Sequence, residues 1–349
     1  MGLVQVTRTG TKVAGFLPNL LAELAPEFGA KVFAEPDHGY VGYVEFPSGR
    51  RCFFTGASLD ANPHGASVLT KDKDYCARML AHLGYTVPQG IVLFSPAFKR
   101  EISLRKEALA AGLSFAERAL GFAHLHGFPL FVKPVDGLEG RGVTKVYSVD
   151  ELFEALWWLF AEDKKVLLQV PLSGRDFRVV VMDGKVVAAY ERRPLAVTGD
   201  GHSPISALVD IALARLRNDR HGSKVSHDDH RILTQLKANG MTMETVLDTG
   251  REVPLLPNAN LSTGGTARDV TGDISAFYSK IAIGAAKDLG LLLVGIDIIA
   301  KDITGFDTDY CILEVNSAPG LNNFATSSAA SQERARELYR QLLAKLSRQ

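Results

Sequence analysis

Residues 131–146 read FVKPVDGLEGRGVTKV. Two β-rich runs flank a glycine-rich connection, and Gly137, Gly140 and Gly142 can take positive φ and bring backbone amides against an anion with no Cβ in the way. A Rossmann site needs its glycines to open a helix, and a P-loop also needs Gly-Lys-Ser/Thr; here a second strand, VTKVYSV, follows instead. The glycines alone fit a phosphate-covering flap or a plain hairpin tip equally. Lys133 favours the flap, because it ends an apolar strand directly before Pro134, where a ligand of an α-phosphate would stand. Lys73 could add a second cation, although by itself it reads as an exposed helix lysine.

Downstream of this stretch, Ser148 and Glu151 have capping-box spacing before the apolar helix ELFEALWWLF, on which Trp157 and Trp158 read as core. Val166 to Val170 reads as a strand. Upstream, KDKDYCARMLAHLGYTVPQG from Lys71 reads as a capped helix stopped by Gly84, with a strand after Pro88, and Pro96 to Arg118 as a charged, interrupted helical stretch. Before about Ser67 a small amino-terminal domain is expected, with a helix around Phe16 to Phe28 and strands at Tyr40–Phe46 and Arg51–Thr55 around a Pro-Ser-Gly turn.

Further on, DFRVVVMDGKVVAAYERRP is a hairpin signal with Asp183 and Gly184 as its two-residue turn. That register pairs Asp176 with Glu191 and puts Arg178 and Arg193 on their face, with Arg175 and Arg192 on the other. Two arginines beside an acidic pair suit a phosphoryl group or a tetrahedral oxyanion, and a salt-bridged strand face equally well. Gly199 to Glu252 is polar and partly helical. Within it, Ser226 with Asp229 reads as a helix start in preference to a metal site built from His227, Asp228, Asp229 and His230, and His202 receives no role. A charged helix from about Gln332 to Ser347 closes the chain.

The segments LLLVGIDIIAKD and YCILEVN pair around a Thr304-Gly305 turn. Glu314 and Asn316, two apart, share a strand face. A turn centred between Gly305 and Phe306 sets Asp297 across from Glu314, and a one-residue slip would send Asp297 to the opposite face. Three oxygen donors in this pattern suit magnesium, which is hard and completes its shell with water and phosphates. An acid inside VGIDIIA needs a charged partner or a metal if it is buried. Cys311, inside the second strand, reads as a small buried hydrophobe.

At 349 residues with 46% hydrophobic content, the chain can bury the cores of two or three domains. Lys plus Arg and Asp plus Glu each count 39, so no net field favours a polyanion, and neither nucleic acid nor membrane is an expected partner. Three distant cysteines argue against a disulfide scaffold and against structural zinc, and no long apolar run suggests export or a membrane span. The expected location is cytoplasmic.

Together, FVKPVDGLEGRGVTKV, LLQVPLSGRDFRVVV, NANLSTGGTARDVT, and GIDIIAKD with ILEVNSAPG resemble ATP-grasp carboxylate-amine ligases, in particular the ATP-grasp regions of cyanophycin synthetases and bifunctional glutathione synthetases. The likeness covers roughly Asp72 to Asn323. It implies an α+β (α/β) fold in three parts: a small domain at 1–70, a central lid subdomain at 71–170, and a carboxy-terminal subdomain at 171–349 with an insertion at about 199–256. It implies ATP and Mg2+ as cofactors, with Mn2+ as an alternative ion. Lys73 and Lys133 would bind phosphates, Gly137, Gly140 and Gly142 would close over them, Gln169, Val170 and Leu172 would line the adenine, and Asp176 would hold the ribose. Arg178 and Arg193 match arginines that contact the transferred phosphate, Asp297, Glu314 and Asn316 match magnesium ligands, and Asn260, Ser262, Gly264 and Gly265 would approach the reacting carboxylate. Gln169 departs from the glutamate of many relatives.

The implied reaction joins a small-molecule carboxylate and an amine, amino acids or short peptides, through an acyl phosphate with release of ADP and phosphate. A kinase that stops at phosphoryl transfer and an ATP-binding regulatory module are the alternatives. The partner domains of the two larger relatives are not found in the sequence, which reads as a stand-alone ligase, with homodimerisation left open.

Overall fold

The computed structural model of the chain describes residues 2–348 apart from 113, 138–141, 163, 219–224 and 306–307. Residues 1–70, 177–191 and 267–349 form one unit and residues 71–176 and 192–266 a second. The boundary expected after residue 70 coincides with one of these. The stretch 199–256, expected as an insertion in the carboxy-terminal part, instead belongs with residues 71–176.

In the first unit, period-two alternation builds an antiparallel sheet from β1 (Val4–Val6), β2 (Lys31–Ala34), β3 (Val41–Glu45), β4 (Arg51–Thr55) and β5 (Ser58–Leu59), in that order. Val32, Val44, Cys52 and Phe54 form its buried row, against which α1 (Phe16–Leu24) packs Leu17 and Leu21. After β5 comes α2 (His64–Lys71). A second sheet has the order β14 (Thr266–Asp269), β11 (Lys185–Arg193), β10 (Arg175–Met182), β15 (Leu293–Ala300), β16 (Tyr310–Asn316). Asp183 and Gly184, with φ of 49° and 72°, make the β10–β11 connection the type I′ turn that the Asp-Gly pair demands. The outer ends of β10, β11 and β14 carry the chain into the second unit.

Three helices complete the first unit: α10 (Ala276–Asp288) beside β15, α11 (Asn322–Ala325), and α12 (Ala329–Leu346). Phe324 stacks on Tyr190 at 4.6 Å, and α12 buries Leu338, Leu342 and Leu343, each contributing about 1.5–3 kcal/mol relative to exposure. Arg336 and Arg340 of α12 pair with Glu23 and Glu27 at the end of α1 and just beyond it.

The second unit centres on an antiparallel sheet ordered β6 (Gly90–Phe94), β9 (Lys165–Gln169), β7 (Leu130–Pro134), β8 (Thr144–Val146). Behind it lie α6 (Phe115–His126) and α7 (Val149–Glu162), with Phe122, Leu130, Val132, Leu152, Leu156 and Leu168 in one core. α3 (Lys73–His82), α4 (Pro96–Ser103) and α5 (Glu107–Ala111) complete this part. The cap of α7 forms as its sequence suggests: the Glu151 amide donates to Ser148 Oγ and its carboxylate accepts from the Tyr147 amide. Trp157 and Trp158, expected in the core, are exposed instead. Leu152, Ala155 and Leu156 take the inward face at i, i+3 and i+4, which turns the two following residues outward.

A smaller core of the same unit joins the ribbon of β12 (Ala196–Thr198) and β13 (Glu252–Pro254) to α8 (Ile205–Asn218) and α9 (His230–Ala238), burying Val197, Ile205, Val209, Ile232 and Leu236. The cap of α9 is Asp229, which accepts from the Arg231 amide, rather than Ser226, whose carbonyl accepts from Asp229 one turn earlier. Among the described residues, no helix is long and apolar enough to cross a membrane.

Candidate functional site

The β15–β16 pairing answers the register question. Asp297 stands opposite Glu314 and Gly295 opposite Asn316, whereas Ile298 faces Ile312, so Leu313 is the extra residue of a bulge. Phe306 and Asp307, at the expected turn, lie outside the described residues. Asp297 is fully buried, and Arg178 on β10 donates to it through both arms of its fork, Nε to Oδ1 at 2.6 Å and Nη2 to Oδ2 at 2.7 Å. Gly295 makes this possible, since a Cβ there would lie 3.3 Å from Arg178 Cδ and 3.2 Å from Pro319. Arg178 Nη2 also comes within 3.9 Å of Glu314, whose side chain is 28% exposed. Burial disfavours the arginine's charge, but Asp297, Tyr190 and Glu314 together outweigh it and hold the guanidinium pKa above its ordinary value.

Asn316 Nδ2 lies 3.2 Å from Glu314 Oε1 and 3.4 Å from Asp297 Oδ2. Asp297, Glu314 and Arg178 together carry a formal charge of −1, and an Asn amide can present oxygen in place of nitrogen by a flip. That donor set fits a hard divalent cation whose shell is completed by water and phosphate. Among the described residues, no group of three or more His, Cys, Asp and Glu could hold a metal, so a closed all-protein cage is not on offer. Cys311 is buried, which pushes its thiol up to about 12 and fits the inert role expected for it.

Sequence reasoning missed Asn62. Its Oδ1 accepts from the Leu292 and Leu293 amides at 2.7 and 3.1 Å, and its Nδ2 donates to the Leu293 and Ser317 carbonyls at 2.7 Å each. All four hydrogen bonds go to the start of β15 and the end of β16, beside Asn316. In the sequence, ANPH reads only as a turn.

In the second unit, Lys133 is buried at the end of β7 and donates to Gln169 Oε1 at 2.8 Å. Register explains the contact: Gln169 faces Phe131, so Lys133 is its diagonal neighbour on the same face. Lys73, the first residue of α3, is half-buried and donates through Nζ to the Gly137 carbonyl at 2.5 Å, which removes the exposed-lysine reading. Its neighbour Asp72 caps α3 and binds Lys165 Nζ at 2.6 Å, a half-buried lysine that the sequence presents as an ordinary strand start. Three lysines thus surround the entry to the glycine loop. Gly142 has φ of 69°, and a Cβ there would lie 2.9 Å from Leu159, so only glycine fits; Gly140 lies outside the described residues.

Past β9, Val170 and Leu172 are half-buried in extended chain, and the Val170 amide donates to the Gln89 carbonyl. Asp176 accepts from Arg192 Nε and Nη2 at 2.9 and 2.7 Å. The sequence reading put these two on opposite faces, whereas the structure joins them and leaves Arg193 exposed at the end of β11. Residues 188–192 are all buried, so both faces of β11 are covered there. Glu191, expected opposite Asp176, is held by Arg268 at 2.9 Å.

Asn260 caps the 3₁₀ turn Leu261–Thr263. Its carbonyl accepts from the Thr263 and Gly265 amides, and Leu261 accepts from Gly264. These amides close the turn on itself, so the backbone expected to approach the reacting carboxylate from Ser262 to Gly265 is largely used internally. Gly264 takes φ of 89°, and a Cβ on Gly265 would lie 2.6 Å from the Arg193 carbonyl. The tight glycine pair packs this turn against the end of β11.

The class follows from fold and sequence together. Residues 113–199 match the family model "D-ala D-ala ligase C-terminus" and residues 257–337 the model "RimK-like ATP-grasp domain", which bears out the resemblance to ATP-grasp ligases. In particular, it is similar to the cyanophycin synthetase of Geminocystis herdmanii, 36% identical over 261 residues, covering 72% of this chain and 28% of that protein. It is also 32% identical over 267 residues to the bifunctional glutathione biosynthesis protein of Enterococcus faecalis, covering 73% of this chain and 32% of that one. The crystal structure of the bifunctional glutathione synthetase from Pasteurella multocida shares the fold, with a TM-score of 0.51 and 20% identity over 88% of this chain and 42% of that one. The chain therefore spans about a quarter to a third of the length of these curated relatives.

Proposed function

We propose that this chain is an ATP-dependent ligase that joins a small-molecule carboxylate to an amine, amino acids or short peptides, through an acyl phosphate. The observation that carries the reading is the β15–β16 register, which sets Asp297 against Glu314 with Asn316 alongside in a chain whose buried Lys133 opens a glycine loop. A carboxylate oxygen attacks the γ-phosphorus of ATP, the bond to the β,γ-bridging oxygen breaks, and ADP leaves. The amine then attacks the acyl carbon, phosphate departs, the amine loses a proton, and an amide remains.

Lys133 and Lys73 bind the phosphates, exchanging Gln169 and the Gly137 carbonyl for phosphate oxygens, while Gln169, Val170 and Leu172 contact the adenine. Asp176, oriented by Arg192, takes the ribose hydroxyls. Mg2+, or Mn2+ in its place, would be held by Asp297, Glu314 and Asn316 and would offset phosphate charge. Arg178 fixes the Asp297 carboxylate, and Arg193 supplies a fixed positive charge for the transferred phosphoryl group. Asn260, Ser262, Gly264 and Gly265 shape the acceptor turn. Closure of the loop carrying Gly137, Gly140 and Gly142 keeps water from the acyl phosphate. The cytoplasm is the compartment this chemistry suits.

Phosphorus NMR with magnesium ATP and a pool of amino acids, peptides and metabolites tests the reading. ADP and phosphate formed only when carboxylate and amine are both present support it, whereas a stable phosphorylated metabolite or AMP with pyrophosphate refutes it. Glu314→Gln and Asn316→Ala each lower turnover by more than about 100-fold, the upper end of what an outer-shell partner costs; unchanged turnover in both removes the metal assignment.

A further inference from the structure

Both tryptophans of the chain stand outside its core. Trp157 is 79% and Trp158 is 71% exposed, adjacent on α7. A tryptophan is usually well buried, and a contiguous apolar patch on a surface marks a contact site. The helix that carries this pair is acidic throughout, with Asp150, Glu151, Glu154 and Glu162 and no basic residue.

A second patch, of opposite character, lies beyond α4, the helix that meets the carboxy-terminal end of α7. Lys164, two residues past the end of α7, donates to Glu101 of α4 at 2.6 Å and lies 5.7 Å from the Phe98 ring centre, which ties the carboxy-terminal end of α7 to α4. Just beyond α4, Leu104 is 88% exposed, the highest value among the large apolar side chains. Arg100, Arg105 and Lys106 flank it, all exposed. An acidic, aromatic surface on α7 and a surface around Leu104 on which Arg100, Arg105 and Lys106 outnumber Glu101 and Glu107 are thus both carried by the second unit.

We propose that these two patches are the complementary halves of a two-fold interface between copies of this chain. Leu104 of one copy seats on Trp157 and Trp158 of the other, with Arg105 and Lys106 facing the α7 acids and offering their charges to the indole faces. The reciprocal contact forms at the same time, as a two-fold axis requires. A second copy is the occupant that covers both patches at once. A partner carrying only a basic or only an acidic surface would leave the other half in water. Each buried tryptophan covers about 150–250 Å². Two of them with Leu104 supply much of the roughly 800 Å² that each side of a stable interface buries.

Sedimentation equilibrium of the full chain from about 1 to 100 μM tests this. The expected result is a monomer–dimer equilibrium that Trp157→Ala with Trp158→Ala weakens by at least about 30-fold, the loss typical of truncating central aromatic anchors. Leu104→Glu, on the opposite half, weakens it similarly and guards against a folding defect in the tryptophan variant. Glu154→Lys and Arg105→Glu each weaken association when made alone, and together restore it. A chain that stays monomeric over the whole range overturns the proposal, as does a dimer whose dissociation constant none of these changes moves.

Discussion

Arg178 shows how one side chain can determine whether a buried acid is tolerated. Its fork neutralises Asp297, which is fully buried, and its second contact leans toward Glu314. Arg178→Met would leave that carboxylate buried without its cation, and a loss of about 3–5 kcal/mol in urea-unfolding stability is expected; a loss under about 0.5 kcal/mol would show that Asp297 is held by other means. The sequence made the need for a partner legible, since an acid inside VGIDIIA demands one, but not its identity, because the strand beside β15 cannot be read from local pattern. Cys311 carries a pH prediction. Its folded thiol titrates near 12, whereas an unfolded cysteine titrates near about 8.5. The folded state therefore keeps a proton that the unfolded state loses, so the stabilisation from Cys311 is complete below about pH 8.5 and declines as pH rises toward 12. Iodoacetamide labelling at about pH 9, read by mass spectrometry, should mark Cys311 only as fast as the chain unfolds; immediate labelling of the native chain would contradict this.

At the scale of elements, turn chemistry and capping were the most legible features. Asp183-Gly184 and Ser148 with Glu151 are set by local geometry and the structure keeps both, whereas Asp297 meets Glu314 as expected but through the bulge at Leu313, which no turn signal encodes. Face assignment failed on β11, where counting from the Asp183-Gly184 turn put Arg192 opposite to Asp176 and the structure joins the two. The same limit applies to α7, where apolar composition suggested an inward Trp157 and Trp158 but helix phase turned them out. NLSTGG read as a ligand-binding glycine turn, yet its amides mainly bind its own carbonyls. Its second glycine has a steric role, so Gly265→Ala should displace the Arg193 carbonyl, cost about 1–3 kcal/mol in thermal or denaturant stability and raise the Michaelis constant for the acceptor. Wild-type stability and kinetics in that variant would show that the backbone there relaxes freely.

On the scale of the whole molecule, chain order and spatial order part company. Residues 177–191 and 267–349 return to the unit begun by residues 1–70, while 192–266 join 71–176. No local pattern encodes that exchange, because β10, β11 and β14 look like ordinary strands where they cross from one unit to the other. The family likeness was nevertheless readable, since it rests on short ordered motifs that keep their sequence whichever unit they fold into. The central claim, that ATP activates a carboxylate as an acyl phosphate, is independent of which substrates are used. Its most direct test is oxygen transfer: turnover with carboxylates labelled with ¹⁸O, the phosphate released being examined by the isotope shift of its phosphorus resonance. The account predicts one labelled oxygen in inorganic phosphate for each ADP formed. Unlabelled phosphate, or label appearing in AMP, would contradict it.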